Sequence, residues 1–321
     1  MASQVKLVYP SMKKEWVRTR IRRLVPGAYE WAAVLLSRRN DARYRRLQGK
    51  LFEGLAGLAD KPFHVEIETI NKCNSTCAFC PVNRDADPRT RQVMSEALFH
   101  RIIDELADWG YDRVVNLFSN NEPFLDKRIF AFAEYTRAKL PDAFIQIISN
   151  GTALNIDKAE RILPFLSHMV INNYGTDYAL HDNVRAIIEH LNAERPELAG
   201  KLVVGLRRLN EFKSNRGGSA PNRKPRTASY DSRCAYPFFQ MVIRPDGKVS
   251  LCCNDALGQV MLGDVDADSI RAVWTSEAYR EVRRTMARGR GGIELCASCD
   301  NLSWAKPKRI AKAVKDASFT A

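Results

Sequence analysis

Short apolar runs alternate with amphipathic segments between residues 63 and 209. The runs have the length and β-branched content of strands: FHVEIET, RVVNLFSN, FIQIISN, HMVINNYG and KLVVGLRRL. Helical periodicity fills the segments between them: SEALFHRIIDELADWG, KRIFAFAEYTRAKL, DKAERILPFL and VRAIIEHLN. Because each helical segment is about long enough to cross back over a sheet, we expect parallel strands. The pattern predicts an α/β fold with a partial (βα)6-type barrel over residues 61–210.

The pattern changes after this barrel. Residues 211–232 are rich in Gly, Pro, Ser and Arg, which is typical of a linker or mobile loop. The run FFQMVIRPDGKVSLCC then predicts a β-hairpin with PDG at its turn, and SIRAVWTSEAYREVRRTMARG predicts one helix. Residues 233–303 are therefore expected to form a small hairpin-plus-helix domain.

Positive charge is concentrated at the N-terminus. The 321 residues carry a net charge of +13, and residues 1–60 hold thirteen Lys and Arg against five Asp and Glu. We interpret them as a basic helical extension, and residues 304–321 as a basic tail. Such a face is either solvated or attracts an anionic partner, but no nucleic-acid motif is present. Without a membrane span or leader, we expect a cytoplasmic protein.

Seven of the eight cysteines fall into two groups, a distribution that favours metal binding over a disulfide framework. The first group, Cys73, Cys77 and Cys80, has the spacing C-x3-C-x2-C and directly follows the first predicted strand. Loops after barrel strands are where such folds place their chemistry. Three thiolates can hold three irons of a [4Fe-4S] cluster and leave the fourth iron open for a small molecule. A zinc site with a remote fourth ligand is the alternative.

This loop, with Phe79 before the third cysteine, resembles the radical S-adenosylmethionine (radical SAM) superfamily. The resemblance implies that S-adenosylmethionine binds the open iron and is cleaved to a 5'-deoxyadenosyl radical. That radical abstracts hydrogen from an unactivated C–H bond. The resemblance also implies a reducing partner such as flavodoxin or ferredoxin.

Two further turns resemble motifs that bind S-adenosylmethionine in this superfamily. SNNEP at 119–123 has Asn120 and Asn121 where the family has glycines, and it keeps an acid, Glu122, that would meet the methionine ammonium group. ISNGT follows the next strand, and its Ser149 and Asn150 would reach the methionine carboxylate or the ribose. A Ser-Asn-Gly sequence also forms ordinary turns.

The second group of cysteines has the spacing C-x17-C-x43-C-x2-C and comprises Cys234, Cys252, Cys296 and Cys299. It resembles the twitch module, a shortened relative of the SPASM module, which holds a fully ligated auxiliary [4Fe-4S] cluster. A complete ligand set implies electron transfer rather than substrate binding. A structural zinc site would use the same four ligands.

The arrangement is similar to twitch enzymes that oxidise a carbinol carbon of an aminocyclitol. The resemblance implies a small sugar or cyclitol substrate, possibly anionic, whose radical loses a proton to a base and an electron to the auxiliary cluster. Candidate bases are Glu66 and Glu68, which share one face of the first strand. Arg207 and Arg208 point to opposite faces of the last strand, so at most one, taken as Arg207, enters the barrel. A surface position for both is the alternative.

Cys253 is left over by the two groups. A thiol beside the substrate radical can return hydrogen to the opposite face, which would make the protein an epimerase. The alternative is a buried small apolar side chain. Two other functions stay open: a peptide-modifying SPASM-type maturase, and a zinc-stabilised nucleic-acid-binding protein that uses the basic arm.

Overall fold

The computed structural model describes residues 4–9, 35, 50–223, 232–301, 312 and 315. Most of the predicted N-terminal extension and of the C-terminal tail lies outside these residues. The strands are β1 (Lys6–Val8), β2 (His64–Ile67), β3 (Val114–Asn116), β4 (Phe144–Ser149), β5 (His168–Gly175), β6 (Leu202–Arg208), β7 (Gln240–Ile243), β8 (Lys248–Ser250) and β9 (Met261–Asp264). The α-helices with defined bounds are α1 (Glu96–Asp108), α2 (Ile129–Lys139), α3 (Ile156–Ile162), α4 (Asp182–Glu194), α5 (Pro196–Ala199), α6 (Tyr236–Phe239), α7 (Ile270–Trp274), α8 (Glu277–Arg288) and α9 (Glu294–Ser298).

One nine-stranded sheet has the order β1-β6-β5-β4-β3-β2-β7-β8-β9. The pairs from β1 to β7 are all parallel, and β8 and β9 add to β7 in antiparallel fashion. All five predicted core strands and the four helices between them are present. Within the described residues the two outer strands do not pair with each other, so the barrel is partial. The predicted α/β fold class is confirmed.

Helix α1 illustrates how the sequence covers the sheet. Ser95 begins it by accepting a hydrogen bond from the Leu98 backbone N–H at 3.1 Å. Its buried residues recur three or four positions apart and form one apolar face: Leu98, Phe99, Ile102, Ile103 and Leu106. Phe99 stacks on Phe132 of α2 with ring centroids 3.9 Å apart. No helix in the described ranges is long and apolar enough to cross a membrane.

Both ends of the sheet differ from the sequence interpretation. The stretch 1–60, expected to be helical, contains strand β1, which pairs with β6 in the register Lys6 to Val203. The buried Val5 donates its N–H to Asn192 Oδ1 at 2.8 Å. A strand of three residues is too short to show a periodic pattern, and its formation depends on pairing with a strand that is distant in sequence. Residues 50–57 are helical, as predicted.

The hairpin of the C-terminal region is present, but it continues the barrel sheet. Its first strand, β7, pairs in parallel with β2 in the register His64 to Gln240. The helix predicted over 269–289 is two helices, α7 and α8. Ser276 begins the second one by accepting a hydrogen bond from Tyr279 N–H at 3.4 Å. A serine at this position favours a new helix start.

Candidate active site

A cavity of about 380 Å³ lies where the carboxyl ends of β2 to β5 meet the C-terminal region. Parallel strands bring the residues that follow them to one edge of the sheet. The lining therefore combines sequence positions that are far apart, from Cys73 to Asn301. Every candidate that we assigned to the first cluster and to S-adenosylmethionine lines it: Cys73, Cys77, Phe79, Cys80, Asn120, Asn121, Glu122, Ser149 and Asn150.

The loop with the three cysteines is held by Asn83. This buried amide donates to the carbonyl oxygens of Cys77 and Cys80 at 3.2 and 2.8 Å. On the other side, Ser75 N–H donates to Cys73 Sγ at 3.4 Å. These bonds wrap the loop so that the three sulfur-bearing side chains line one cavity.

The donor set fits an iron-sulfur cluster. Burial raises the pKa of Cys73 to about 12 and that of Cys77 to about 11, so both thiols must lose a proton when they bind iron. Among the described residues, no three His, Cys, Asp or Glu side chains converge closely enough to hold a single metal ion. In a cubane cluster each thiolate binds a different iron.

Glu122 joins two strand ends beside this loop. It is 1% exposed and accepts hydrogen bonds from Asn150 N at 2.7 Å, Ser149 Oγ at 2.8 Å and Phe124 N at 3.2 Å. Burial raises the pKa of this carboxyl. Asn150 also donates to Asn74 Oδ1 at 2.8 Å, which ties the end of β4 to the cysteine loop. The arrangement offers a buried acceptor to an ammonium group.

Phe79 packs in an aromatic and cationic corner of the cavity. Its ring centroid lies 5.7 Å from that of Tyr174, and Lys213 Nζ lies 4.4 Å from the centre of the Phe79 ring. Lys213 also donates to Tyr174 Oη at 2.9 Å. Burial lowers the pKa of Lys213 to about 8. The corner can hold a planar or anionic group of a ligand.

Arg216 was missed by the sequence analysis, as was Lys213. Its guanidinium donates to Asn120 Oδ1 and to the Cys253 carbonyl, each at 3.0 Å. Its φ of +51° is left-handed, and the next two residues, Gly217 and Gly218, are left-handed as well. Such a backbone costs about 1–3 kcal/mol at a non-glycine residue and often occurs at functional sites. The only signal in the sequence was an arginine before two glycines inside an expected linker.

Glu66 does not line the cavity itself and lies behind Ser119, which does. It accepts from Ser119 Oγ at 2.7 Å and from Gln240 Nε2 at 2.8 Å, and Ser119 itself lines the cavity. Burial raises the pKa of Glu66 to about 7. A carboxyl with this pKa exchanges protons readily near neutral pH.

Glu68 and Arg207, the other polar candidates, do not line the cavity. Glu68 is 0% exposed and lies 3.2 Å from Arg89 in a buried ion pair. Arg207 lies at the end of β6, where its side chain is paired with Glu211 at 3.1 Å. Each side chain is held in an ion pair outside the cavity lining, and the roles expected of Glu68 and Arg207 stay predictions.

The second group of cysteines lines a separate, smaller cavity. Cys234, Cys252, Cys296 and Cys299 share it with the buried Arg290 and a few neighbours. Tyr236, Asn254 and Asn301 line both cavities, so the two sites have a common wall. Four thiols around one small cavity fit a fully ligated cluster.

The consecutive cysteines at the end of the hairpin separate into the two sites. Cys252 lines the smaller cavity and Cys253 lines the larger one. Burial raises the pKa of Cys253 to about 12, which keeps it a thiol. Its backbone N–H donates to Gln240 Oε1 at 3.0 Å, and Gln240 in turn holds Glu66.

Two family models match the chain. The model of the radical SAM superfamily matches residues 67–187, and the SPASM model, an iron-sulfur cluster-binding domain, matches residues 234–300. The first stretch contains the three-cysteine loop, and the second contains all four cysteines of the smaller cavity. Neither model supports the predicted alternative of a zinc-stabilised nucleic-acid-binding protein.

Known proteins are similar over most of their length. An S-adenosyl-L-methionine-dependent 2-deoxy-scyllo-inosamine dehydrogenase from Niallia circulans is 26% identical over 255 residues, which are 76% of this chain and 95% of that protein. The structure of BtrN with AdoMet and 2-DOIA has a TM-score of 0.64 and 22% identity, covering 77% of this chain and 96% of that one. The structure of anSMEcpe with AdoMet has a TM-score of 0.50 and 10% identity, covering 80% and 93%.

These matches confirm the predicted cofactors, which are a [4Fe-4S] cluster with S-adenosylmethionine and an auxiliary iron-sulfur cluster. They also confirm an oxidoreductase, without separating a dehydrogenase from an epimerase. The chain is therefore an enzyme that resembles the radical SAM oxidoreductases with a SPASM-type auxiliary cluster domain.

Proposed function

We propose that this enzyme oxidises a carbinol carbon of a sugar or cyclitol to a ketone. The observation that carries the proposal is the wall shared by the two cavities, formed by Tyr236, Asn254 and Asn301. An electron that leaves a substrate radical in the larger cavity has one layer of side chains to cross before it reaches the auxiliary site. The substrate named for the Niallia circulans relative, 2-deoxy-scyllo-inosamine, belongs to the same chemical class.

The larger cavity provides groups for the first cluster and for S-adenosylmethionine. Cys73, Cys77 and Cys80 would hold three irons, and the Glu122 carboxylate would accept from the methionine ammonium group. When bound, these cofactors supply a 5'-deoxyadenosyl radical, and an external donor such as flavodoxin or ferredoxin provides the electron. Ser149 fixes the Glu122 carboxylate by donating to it at 2.8 Å.

The remaining steps need a base and an electron acceptor. After H–C–OH has lost a hydrogen atom, loss of one proton and one electron gives C=O. Glu66 takes the proton through the Ser119 hydroxyl, which donates to it at 2.7 Å and lines the cavity. Arg216 places a fixed positive charge beside this path, which favours negative charge on the substrate oxygen.

The test begins with anaerobic purification, reconstitution and an iron count, for which about eight irons are expected from two clusters. The enzyme is then supplied with a reductant, S-adenosylmethionine and a panel of cyclitols and sugars that includes 2-deoxy-scyllo-inosamine. The expected result is one 5'-deoxyadenosine and one ketone per turnover. Release of 5'-deoxyadenosine without any ketone across the panel would overturn the proposal. Glu66→Gln should release 5'-deoxyadenosine but form ketone slowly.

Epimerisation is a second candidate, favoured by the position of Cys253 in the wall of the larger cavity. Its S–H bond would break to give hydrogen to the substrate radical, and the resulting thiyl radical would regain an electron from the reductant and a proton from solvent. The outcome would be an inverted carbon with no net oxidation. In D2O the exchangeable thiol would deliver deuterium to that carbon, whereas ketone formation introduces none.

Replacement of Cys253 by alanine separates the two candidates. If Cys253 is the donor, Cys253→Ala loses the deuterated epimer and accumulates ketone, while Cys253→Ser controls for side-chain volume. Ketone formation that is unchanged in both variants would remove Cys253 from the chemistry. The products are identified by mass spectrometry and NMR.

A further inference from the structure

Arg290 is a buried arginine that faces the auxiliary site. It is 1% exposed and lies in a short turn after α8, where it lines the cavity of the four cysteines. One nitrogen, Nη1, donates to the Cys299 carbonyl at 3.4 Å. Its other two nitrogens, Nε and Nη2, are buried and have no hydrogen-bond partner among the described residues.

An unpaired buried guanidinium is costly. Removing its charge from water costs several kcal/mol, and each buried donor without a partner adds about 1–3 kcal/mol. Such a side chain is retained where an anion compensates it. Arg290 lines the cavity of the four cysteines, which would hold an anionic cluster. The anion that would compensate the charge of Arg290 is therefore the auxiliary cluster with its thiolates.

We propose that Arg290 donates hydrogen bonds from Nε and Nη2 to sulfur atoms of the auxiliary cluster and thereby raises its reduction potential. Reduction adds one negative charge to a cluster that is already anionic. A nearby cation and N–H···S bonds stabilise the reduced form more than the oxidised form. Arg290 is thus a positioning and tuning residue, and it does not contact the substrate.

The catalytic meaning of this tuning rests on the proposed oxidation. The substrate radical loses one electron and the auxiliary cluster gains it, so a higher potential makes the transfer more favourable. The shared wall brings this acceptor next to the larger cavity, while Arg290 lies on the cavity of the acceptor. The effect of Arg290 on the reduction potential does not depend on the residues that line the larger cavity.

The test is a potentiometric titration of the full-length holoenzyme followed by electron paramagnetic resonance. S-adenosylmethionine changes the spectrum of the cluster with an open iron, so the signal that does not respond to it reports the auxiliary cluster. In Arg290→Gln we expect the equilibrium constant for reduction to fall at least tenfold, which is 59 mV for one electron. Arg290→Lys keeps the charge but has fewer donors and should shift the potential less.

Arg288→Gln is the matched control. It removes the same charge two residues away, from an exposed position at the end of α8, and should leave the potential unchanged. If the potential of the auxiliary signal is unchanged in both Arg290 variants, the proposal is overturned whatever the product of the enzyme is. If Arg290→Gln does not assemble its cluster, the shift in Arg290→Lys decides.

The proposed oxidation is tested separately, by the product that the enzyme forms. A shifted potential together with an epimer as product supports the tuning role of Arg290 and rejects ketone formation. A shifted potential together with slower ketone formation supports both. Iron content close to that of the unmodified enzyme is required in each comparison.

Discussion

Replacement of Glu122 by glutamine changes a carboxylate that serves both the fold and the proposed cofactor site. One carboxylate oxygen accepts from Asn150 N–H, and the other accepts from Ser149 Oγ and from Phe124 N–H. In Glu122→Gln, one oxygen becomes an NH2 group. The less costly orientation keeps the 2.7 Å bond from Asn150 and turns the NH2 group toward Ser149, whose hydroxyl can rotate to accept.

These contacts allow the effects on stability and on binding to be estimated separately. In that orientation the 3.2 Å bond from Phe124 N–H is lost, and one buried donor without a partner costs about 1–3 kcal/mol of stability. The variant also offers no charge to an ammonium group. A hydrogen bond to a charged group contributes about 1.5–3 kcal/mol, which corresponds to roughly 10- to 140-fold weaker binding of S-adenosylmethionine.

Binding is measured by equilibrium dialysis of radiolabelled S-adenosylmethionine against reconstituted enzyme, and stability by urea unfolding. Glu105→Gln is the matched control, because Glu105 accepts from the Ile270 N–H at 2.7 Å far from the cavity. This control should lose stability and keep its affinity. An affinity for S-adenosylmethionine that is the same in Glu122→Gln and in the unmodified enzyme would refute the reasoning and leave Glu122 a structural residue.

Four other predictions concern Glu66, Arg89 and Gly217. Burial raises the pKa of Glu66 to about 7, so ketone formation should increase as pH rises through about 7, and a flat profile would contradict its role as base. The same raised pKa means that its contribution to stability is present at acidic pH and is lost as pH rises through about 7, a trend that Glu66→Gln should reduce in urea unfolding. Arg89→Met removes the buried cation that is paired with both Glu68 and Asp87 and should cost about 3–5 kcal/mol, measured by urea unfolding; a loss below about 1 kcal/mol would argue against stabilising pairs. Gly217→Ala forces a left-handed alanine whose Cβ would lie 2.8 Å from Leu295 Cγ, so we expect a loss of about 2 kcal/mol, while an unchanged melting temperature would exclude this contact.

Sequence patterns were informative wherever local periodicity decided the structure. The strands and helices of the barrel follow from alternating and helical patterns, and parallel pairing then brings the turns after the strands to one edge. The resemblance of SNNEP and ISNGT to motifs of the radical SAM superfamily assigned Glu122 and Ser149, which are 27 positions apart, to the same site as the cysteine loop. The hydrogen bond between them has the length expected of a direct contact.

The remaining site residues depend on contacts between distant segments. Asn215 donates its backbone N–H to Asp300 and its side-chain amide to the Ser298 carbonyl, and Asp300 N–H donates back to Asn215 Oδ1. These bonds hold the segment that carries Arg216, which composition alone had suggested was a mobile linker. These hydrogen bonds join residues that are 85 positions apart, and no local sequence pattern predicts them. The pairing of β7 with β2 was missed for the same reason.

The parallel pairing of β2 with β7 also determines how far this chain can be shortened. The two strands are joined along four residue pairs, from His64 with Gln240 to Ile67 with Ile243. A fragment that stops before β7 would leave the backbone N–H and C=O groups on that side of β2 without partners. An uncovered strand edge of this kind invites association with other chains. We therefore expect the barrel and the auxiliary region to fold together, and expressing the first half alone should give an aggregating protein instead of a minimal enzyme.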